Sequence, residues 1–321
     1  MQKQYKSTKS ARSETRCTRR GVLQASLVLG VVGTQAASKR VSAASTGPLA
    51  EAHRLAATHK WETQSLDGSY SSPVVVALPV SKNGYQPATS RIQNVGGDSF
   101  DYRIQEWDYL DGNHIEEVVG SLVMEAGAST AGELRIEAGE AKAGTTWTNV
   151  SFDERFAERP VVITQPQSTN GRHPVVSRNR RVSKRGFSTR LQEEEGVDGW
   201  HHDESVGYIA VEPGTGTLGD APFEAGRATG VDHEWQTIEF EGTYESPVVV
   251  ADIETFKGNQ PCTLRYRNLT RTSVEVHVEE ERSSDDEVWH KPETVGYVVV
   301  EGDDIDTFYG EGGYGSDGYG A

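Results

Sequence analysis

Three stretches of this chain carry the same polar residues in the same order. Arg91, Glu106 and His114-x-x-Glu117 form the first set, Arg178, Glu193 and His201-x-x-Glu204 the second, and Arg265, Glu280 and His290-x-x-Glu293 the third. A guanidinium offers a fixed fork of donors that suits carboxylates or sugar hydroxyls. A neutral imidazole hydrogen-bonds a hydroxyl or holds a metal, and a Glu three residues on orients it. Each role has an internal counterpart: the Arg pairs within its own sheet with Glu106, Glu193 or Glu280, and the His–Glu pair pins a loop to a strand. Aromatic residues stand in the same stretches: Trp107 and Tyr109, then Trp200, then Trp289. Their faces either stack on sugar rings or anchor the loops.

Catalysis fits this pattern poorly. Glycoside hydrolysis needs two carboxylates in different environments across one cleft, whereas here the acids come as equivalent sets. No G-x-S-x-G, H-E-x-x-H or P-loop sequence is present. One His with two acids off a helix is loose coordination, so no metal or other cofactor is expected. The fifteen residues (Arg, Glu, His and Glu of each set, with Trp107, Trp200 and Trp289) are therefore ligand-binding candidates on a non-enzymatic protein.

The elements that position them repeat too. Pro73-Val74-Val75-Val76 returns as Pro160-Val161-Val162-Ile163 and Pro247-Val248-Val249-Val250, 87 residues apart each time. Gly84, Gly171 and Gly258 keep that spacing, and Trp61, Trp147 and Trp235 open each copy. The third His-x-x-Glu arrives two residues late, which places an insertion in the loop before His290. Within a copy, β-branched runs, alternation and turn residues every 8 to 12 positions predict six short strands. The expected fold is all-β: three tandem six-stranded antiparallel β-sandwich units, packed around an axis as a pseudo-trimer or laid in a row. The expected boundaries are 45–133, 134–220 and 221–303.

Charge divides the chain differently. Its net charge is -16, but the first 44 residues hold nine Lys or Arg and one acid, leaving 23 bases against 47 acids beyond them. A surface so acidic repels nucleic acid and suits high salt. Thr18-Arg19-Arg20-Gly21 and the apolar run Val22 to Val32 resemble a twin-arginine export signal, too short to span a bilayer. Residues 1–44 are thus an expected export signal, and the Gly/Tyr-rich 304–321 an expected disordered tail. Cys262 stands alone once Cys17 leaves with the leader.

The order of features resembles the H-type lectin domain: Phe156 to Val162 and Tyr244 to Val249, then Asn268-Leu269-Thr270, with Gly186-Phe187 opening a later strand. The resemblance implies small sandwiches that assemble as trimers, hence a covalent pseudo-trimer with ligand sites near unit boundaries. The function expected is that of an exported, multivalent, lectin-like or adhesive protein whose partner is a glycan or cell-surface polymer. The alternatives are a structural surface or matrix protein, in which the polar set is a brace, and, more remotely, a glycan hydrolase. No nucleic acid partner and no membrane span after signal removal are expected.

Overall fold

Valine-rich runs broken by Gly, Asn and Pro favour strands over helices. The computed structural model, which describes residues 50–302, contains twenty strands and no helix among them. The expected leader and tail lie outside the described residues. The first repeat supplies β1 (Ala50–Ala57), β2 (Glu62–Ser65), β3 (Pro73–Ser81), β4 (Ala88–Gln93), β5 (Ser99–Glu106) and β6 (Glu117–Glu125). A short β7 (Gly127–Ala131) leads into β8 (Leu134–Ala143), β9 (Thr148–Ser151), β10 (Val161–Pro166), β11 (Val176–Ser183), β12 (Gly186–Gln192) and β13 (Glu204–Val211). Another, β14 (Gly214–Leu218), leads into β15 (Ala221–Val231), β16 (Gln236–Glu239), β17 (Pro247–Ile253), β18 (Cys262–Arg267), β19 (Ser273–Glu280) and β20 (Glu293–Glu301).

One antiparallel pairing scheme recurs. In the first repeat β6 lies between β1 and β3, and β5 between β2 and β4. In the second β13 lies between β8 and β10, and β12 between β9 and β11. In the third β20 lies between β15 and β17, and β19 between β16 and β18. β7 and β14 add to the edges of β8 and β15 through two-residue turns that open at Gly132 and Gly219. Their φ angles of 64° and 61° suit the twist of a tight hairpin. Between the first and third repeats, a parallel pairing sets Arg265 and Tyr266 of β18 against Val80 and Ser81 of β3.

The apolar runs face two cores at once. Successive side chains of a strand point to opposite faces. On β3, Val75 and Ala77 pack with Phe100 and Ile104 of their own repeat, while Val74 and Val76 enter a second cluster. That second cluster draws on all three repeats, with Ile163 and Ile209 from one and Val250 and Val298 from another. Each fully buried Val, Leu or Ile contributes roughly 1.5–3 kcal/mol, so the shared cluster binds the repeats strongly. It also explains why these strands read as unbroken Val runs rather than as alternation.

Candidate functional site

Each His sits in the loop that joins the fifth strand of a repeat to the sixth. Glu106 and Glu280 end β5 and β19, Glu193 follows β12, and Glu117, Glu204 and Glu293 begin β6, β13 and β20. The loop therefore closes with one carboxylate on each side of the imidazole. His114 Nδ1 lies 2.8 Å from Glu106 Oε1, and its Nε2 2.9 Å from Glu117 Oε1. For His201 the distances are 2.6 Å to Glu193 and 2.9 Å to Glu204. His290 bonds Glu280 through Nδ1 and lies 3.4 Å from Glu293 through Nε2. A carboxylate only accepts, so a ring that bonds two of them must donate from both nitrogens. Burial opposes a charge on His290, but hydrogen bonds with Cys262, Glu280 and Glu293 outweigh it and raise its pKa to about 11.

The arginines do not pair with Glu106, Glu193 or Glu280 of their own repeats, the intra-sheet partners expected from the sequence; within its own repeat Arg265 meets Glu279, at 2.6 Å. Arg91 faces Arg103 in the β4–β5 register, away from Glu106, which faces Ala88. Each guanidinium also reaches across to another repeat. Arg91 of the first approaches Glu204 of the second at 3.6 Å and donates to Ser168 O at 3.2 Å. Arg178 of the second approaches Glu293 of the third at 3.9 Å and donates to Gln260 O at 2.5 Å. Arg265 of the third donates to Glu117 of the first at 2.7 Å and to Ser81 O at 2.6 Å. The three contacts run from first to second, second to third and third back to first. All twelve Arg, Glu and His candidates are no more than 4 % exposed. With a protonated ring, each link holds two negative and two positive charges, which is how buried charge is tolerated.

The repeated glycine makes room for the ring. A Cβ on Gly84, Gly171 or Gly258 would lie 2.7, 2.4 or 2.3 Å from an atom of the facing His ring. Those glycines also donate their backbone N–H groups to Glu117, Glu204 and Glu293. Gly171→Ala should therefore lower stability by about 2 kcal/mol through overpacking, read as a fall in thermal midpoint of about 5 °C. An unchanged midpoint would contradict this packing.

The aromatic candidates separate. Trp107 is buried at 1 % exposure, whereas Trp200 and Trp289 are 57 % and 50 % exposed. Tyr109 is partly exposed and accepts from the backbone N–H of Arg282 at 3.2 Å. The opening tryptophans lie under arginines: Arg103 over Trp61 at 4.6 Å, Arg180 over Trp147 at 3.9 Å and Arg267 over Trp235 at 4.2 Å. Among the described residues no group of three or more His, Cys, Asp or Glu is placed to hold a metal ion.

The chain is similar to a short segment of Halomucin. It is 33% identical over 256 residues to that protein of Haloquadratum walsbyi, a match covering 75% of this chain and 3% of Halomucin. No family model matches the chain, and no solved structure does.

Four further residues at the contacts between repeats were not among the candidates. Gln165 and Gln167 of the second repeat accept from Ala77 N and Val75 N of the first, both at 2.5 Å. Asp252 and Glu254 of the third accept from Thr164 N and Val162 N of the second, at 3.0 and 2.9 Å. The signal was available: at the matching places the first repeat has Leu78 and Val80, so polar residues enter an apolar strand in two copies only.

The links set a pH profile. Burial raises the Glu204 pKa, but His201, Ser168 and the N–H groups of Asn170 and Gly171 overcome it and depress it from 4.5 to about 2. A depressed carboxyl stabilises the fold above pH 4.5 and loses that contribution as pH falls toward 2. His290, raised from 6.5 to about 11, contributes fully below pH 6.5 and loses its contribution as pH rises toward 11. Thermal midpoints at constant ionic strength should thus fall on both sides of pH 4.5–6.5. Glu204→Gln should flatten the acid side, and an acid limb unchanged in that variant would refute the assignment.

Proposed function

We propose that this chain is a non-catalytic, extracellular scaffold module, exported to a cell surface or secreted layer in high salt. In this reading three six-stranded sandwich units form a ring about a pseudo-threefold axis, closed by the Arg–Glu–His–Glu links. The observation that carries it is the burial of all twelve polar candidates in contacts with one another. Groups so enclosed serve as braces and are poorly placed to meet a ligand. The similarity to Halomucin suggests a halophilic, extracellular setting, as does the acidity of the chain beyond its basic leader. Export through the twin-arginine route belongs to the same proposal.

A second reading rests on the exposed Trp200 and Trp289, each one residue before its His. Solvent-facing indoles on adjoining loops suit stacking against sugar rings, and several weak sites gain by repetition. A glycan array in molar sodium chloride, run with the unaltered chain and with Trp200→Ala/Trp289→Ala, separates the two. The scaffold reading expects no glycan above background. Binding abolished by the double substitution would replace it with the lectin-like one. Solution scattering on the same sample should give a compact particle, and a rod-like profile would overturn the ring.

A further inference from the structure

A small cavity lies where the three repeats meet, and its volume of about 30 Å³ accommodates one or two water-sized spheres. Its lining is half apolar, with Leu78, Val175 and Leu264 among it, and half polar, with Ser90 from the first repeat, Thr164, Gln165 and Ser177 from the second, and Asp252 and Thr263 from the third. Asp252 is the one carboxylate among the lining residues, and no Lys, Arg or His lines the space. Only neutral donors reach it. Oδ2 accepts from Thr164 N at 3.0 Å, Thr164 Oγ1 at 2.8 Å and Asn179 Nδ2 at 2.7 Å, and Oδ1 accepts from Ile253 N at 2.7 Å. A buried carboxylate without a positive partner either takes up a proton or binds a cation.

We propose that this cavity is a binding site for a single alkali cation, sodium or potassium, with the Asp252 carboxylate supplying the charge and neighbouring hydroxyl and amide oxygens completing the shell. One carboxylate balances one positive charge, whereas calcium and magnesium sites draw on more carboxylates or on retained water. The ion would join the repeats, since its oxygens come from all three. Asp252 is one of the side chains that already hold the third repeat to the second. A cation competes here with a proton. Burial, only partly offset by hydrogen bonds from Thr164, Ile253 and Asn179, raises the Asp252 pKa to about 7. The surroundings leave few other groups to titrate. Leu78 and Ser90 face the space from β3 and β4, Thr164 and Gln165 from β10, Ser177 from β11, and Cys262 and Thr263 from β18, with Cys262 the other titratable side chain.

The test is thermal unfolding of the full chain at one fixed chloride concentration in sodium, potassium or tetramethylammonium, at pH 5 and pH 8.5, for the unaltered protein and for Asp252→Asn. At pH 8.5 the unaltered protein should melt about 5 °C higher in sodium or potassium than in tetramethylammonium, an ion too large for the cavity. That difference should vanish at pH 5, where the carboxyl is protonated, and should be absent from Asp252→Asn at both pH values. Equal midpoints in all three salts at pH 8.5 would overturn the site in favour of water beside a protonated carboxyl. The same cation preference in Asp252→Asn would assign it to the general surface and overturn it equally. Sodium-23 relaxation in the unaltered protein, with potassium as competitor, gives an answer that needs no variant: no potassium-reversible broadening at pH 8.5 also refutes the site.

Discussion

Replacing Arg265 with Ala should destabilise the protein by about 3–5 kcal/mol, the usual consequence of removing one partner from a buried ion pair. Arg265 is fully buried and donates to Glu117 at 2.7 Å, to Glu279 at 2.6 Å and to the carbonyls of Ser81 and Gln86. Its loss leaves the fully buried Glu117 carboxylate with the His114 ring as its remaining ion-pair partner and takes a donor from the carbonyls of Ser81 and Gln86. It also loosens the contact between first and third repeats, which chain connectivity does not hold together. A fall in thermal midpoint of about 10 °C is expected. The other two arginines should matter less. Arg178 approaches its carboxylate only at 3.9 Å, and Arg91 at 3.6 Å with its Nε and Nη1 unpartnered in the described structure. Arg91→Ala should be the mildest of the three. Equal midpoints for all three variants would show that the arginines act through bulk rather than through these bonds.

His201→Ala should be comparably severe, for a different reason. The ring separates two carboxylates that are 4 % and 0 % exposed, those of Glu193 and Glu204. Without it, two negative groups share one dry space, and at least one must take up a proton. The expected loss is again about 3–5 kcal/mol, and it should grow as pH rises. Glu204→Gln in the same chain should restore part of it, because a neutral amide replaces one of the opposed charges. A double-mutant cycle measures that coupling, and coupling near zero would contradict the geometry.

How far the sequence could be read depended on what repetition conceals. The offset of 87 residues located the strands, the apolar runs and the members of each polar set. It could not say which copy's Arg meets which copy's Glu. Arg265 with Glu280 of its own repeat and Arg265 with Glu117 of another are equivalent when every copy carries the same residues. Packing decides between them, because β3, β10 and β17 turn one face to a core shared by all three repeats. The aromatics misled for a related reason. Trp107 stands at the place held by Glu194 and Glu281 in the other copies, while Trp200 and Trp289 match Asn113. Grouped as loop aromatics they looked alike, yet the structure buries the first and exposes the other two. Gln165 and Asp252 depart from the repeat, so periodicity gives them no mark.

The turns at Gly132 and Gly219 that join the repeats have a consequence for symmetry itself. Three separate chains assembled head to tail must offer every residue three times, so a carboxylate near their axis would face two copies of itself. A single chain lifts that constraint and lets each copy diverge alone. Leu78, Gln165 and Asp252 hold one place in the repeat as an aliphatic, an amide and an acid. Linkage thus lets the place where the repeats meet carry three different residues, which no assembly of identical subunits can do, and a substitution there alters one repeat while leaving the other two intact.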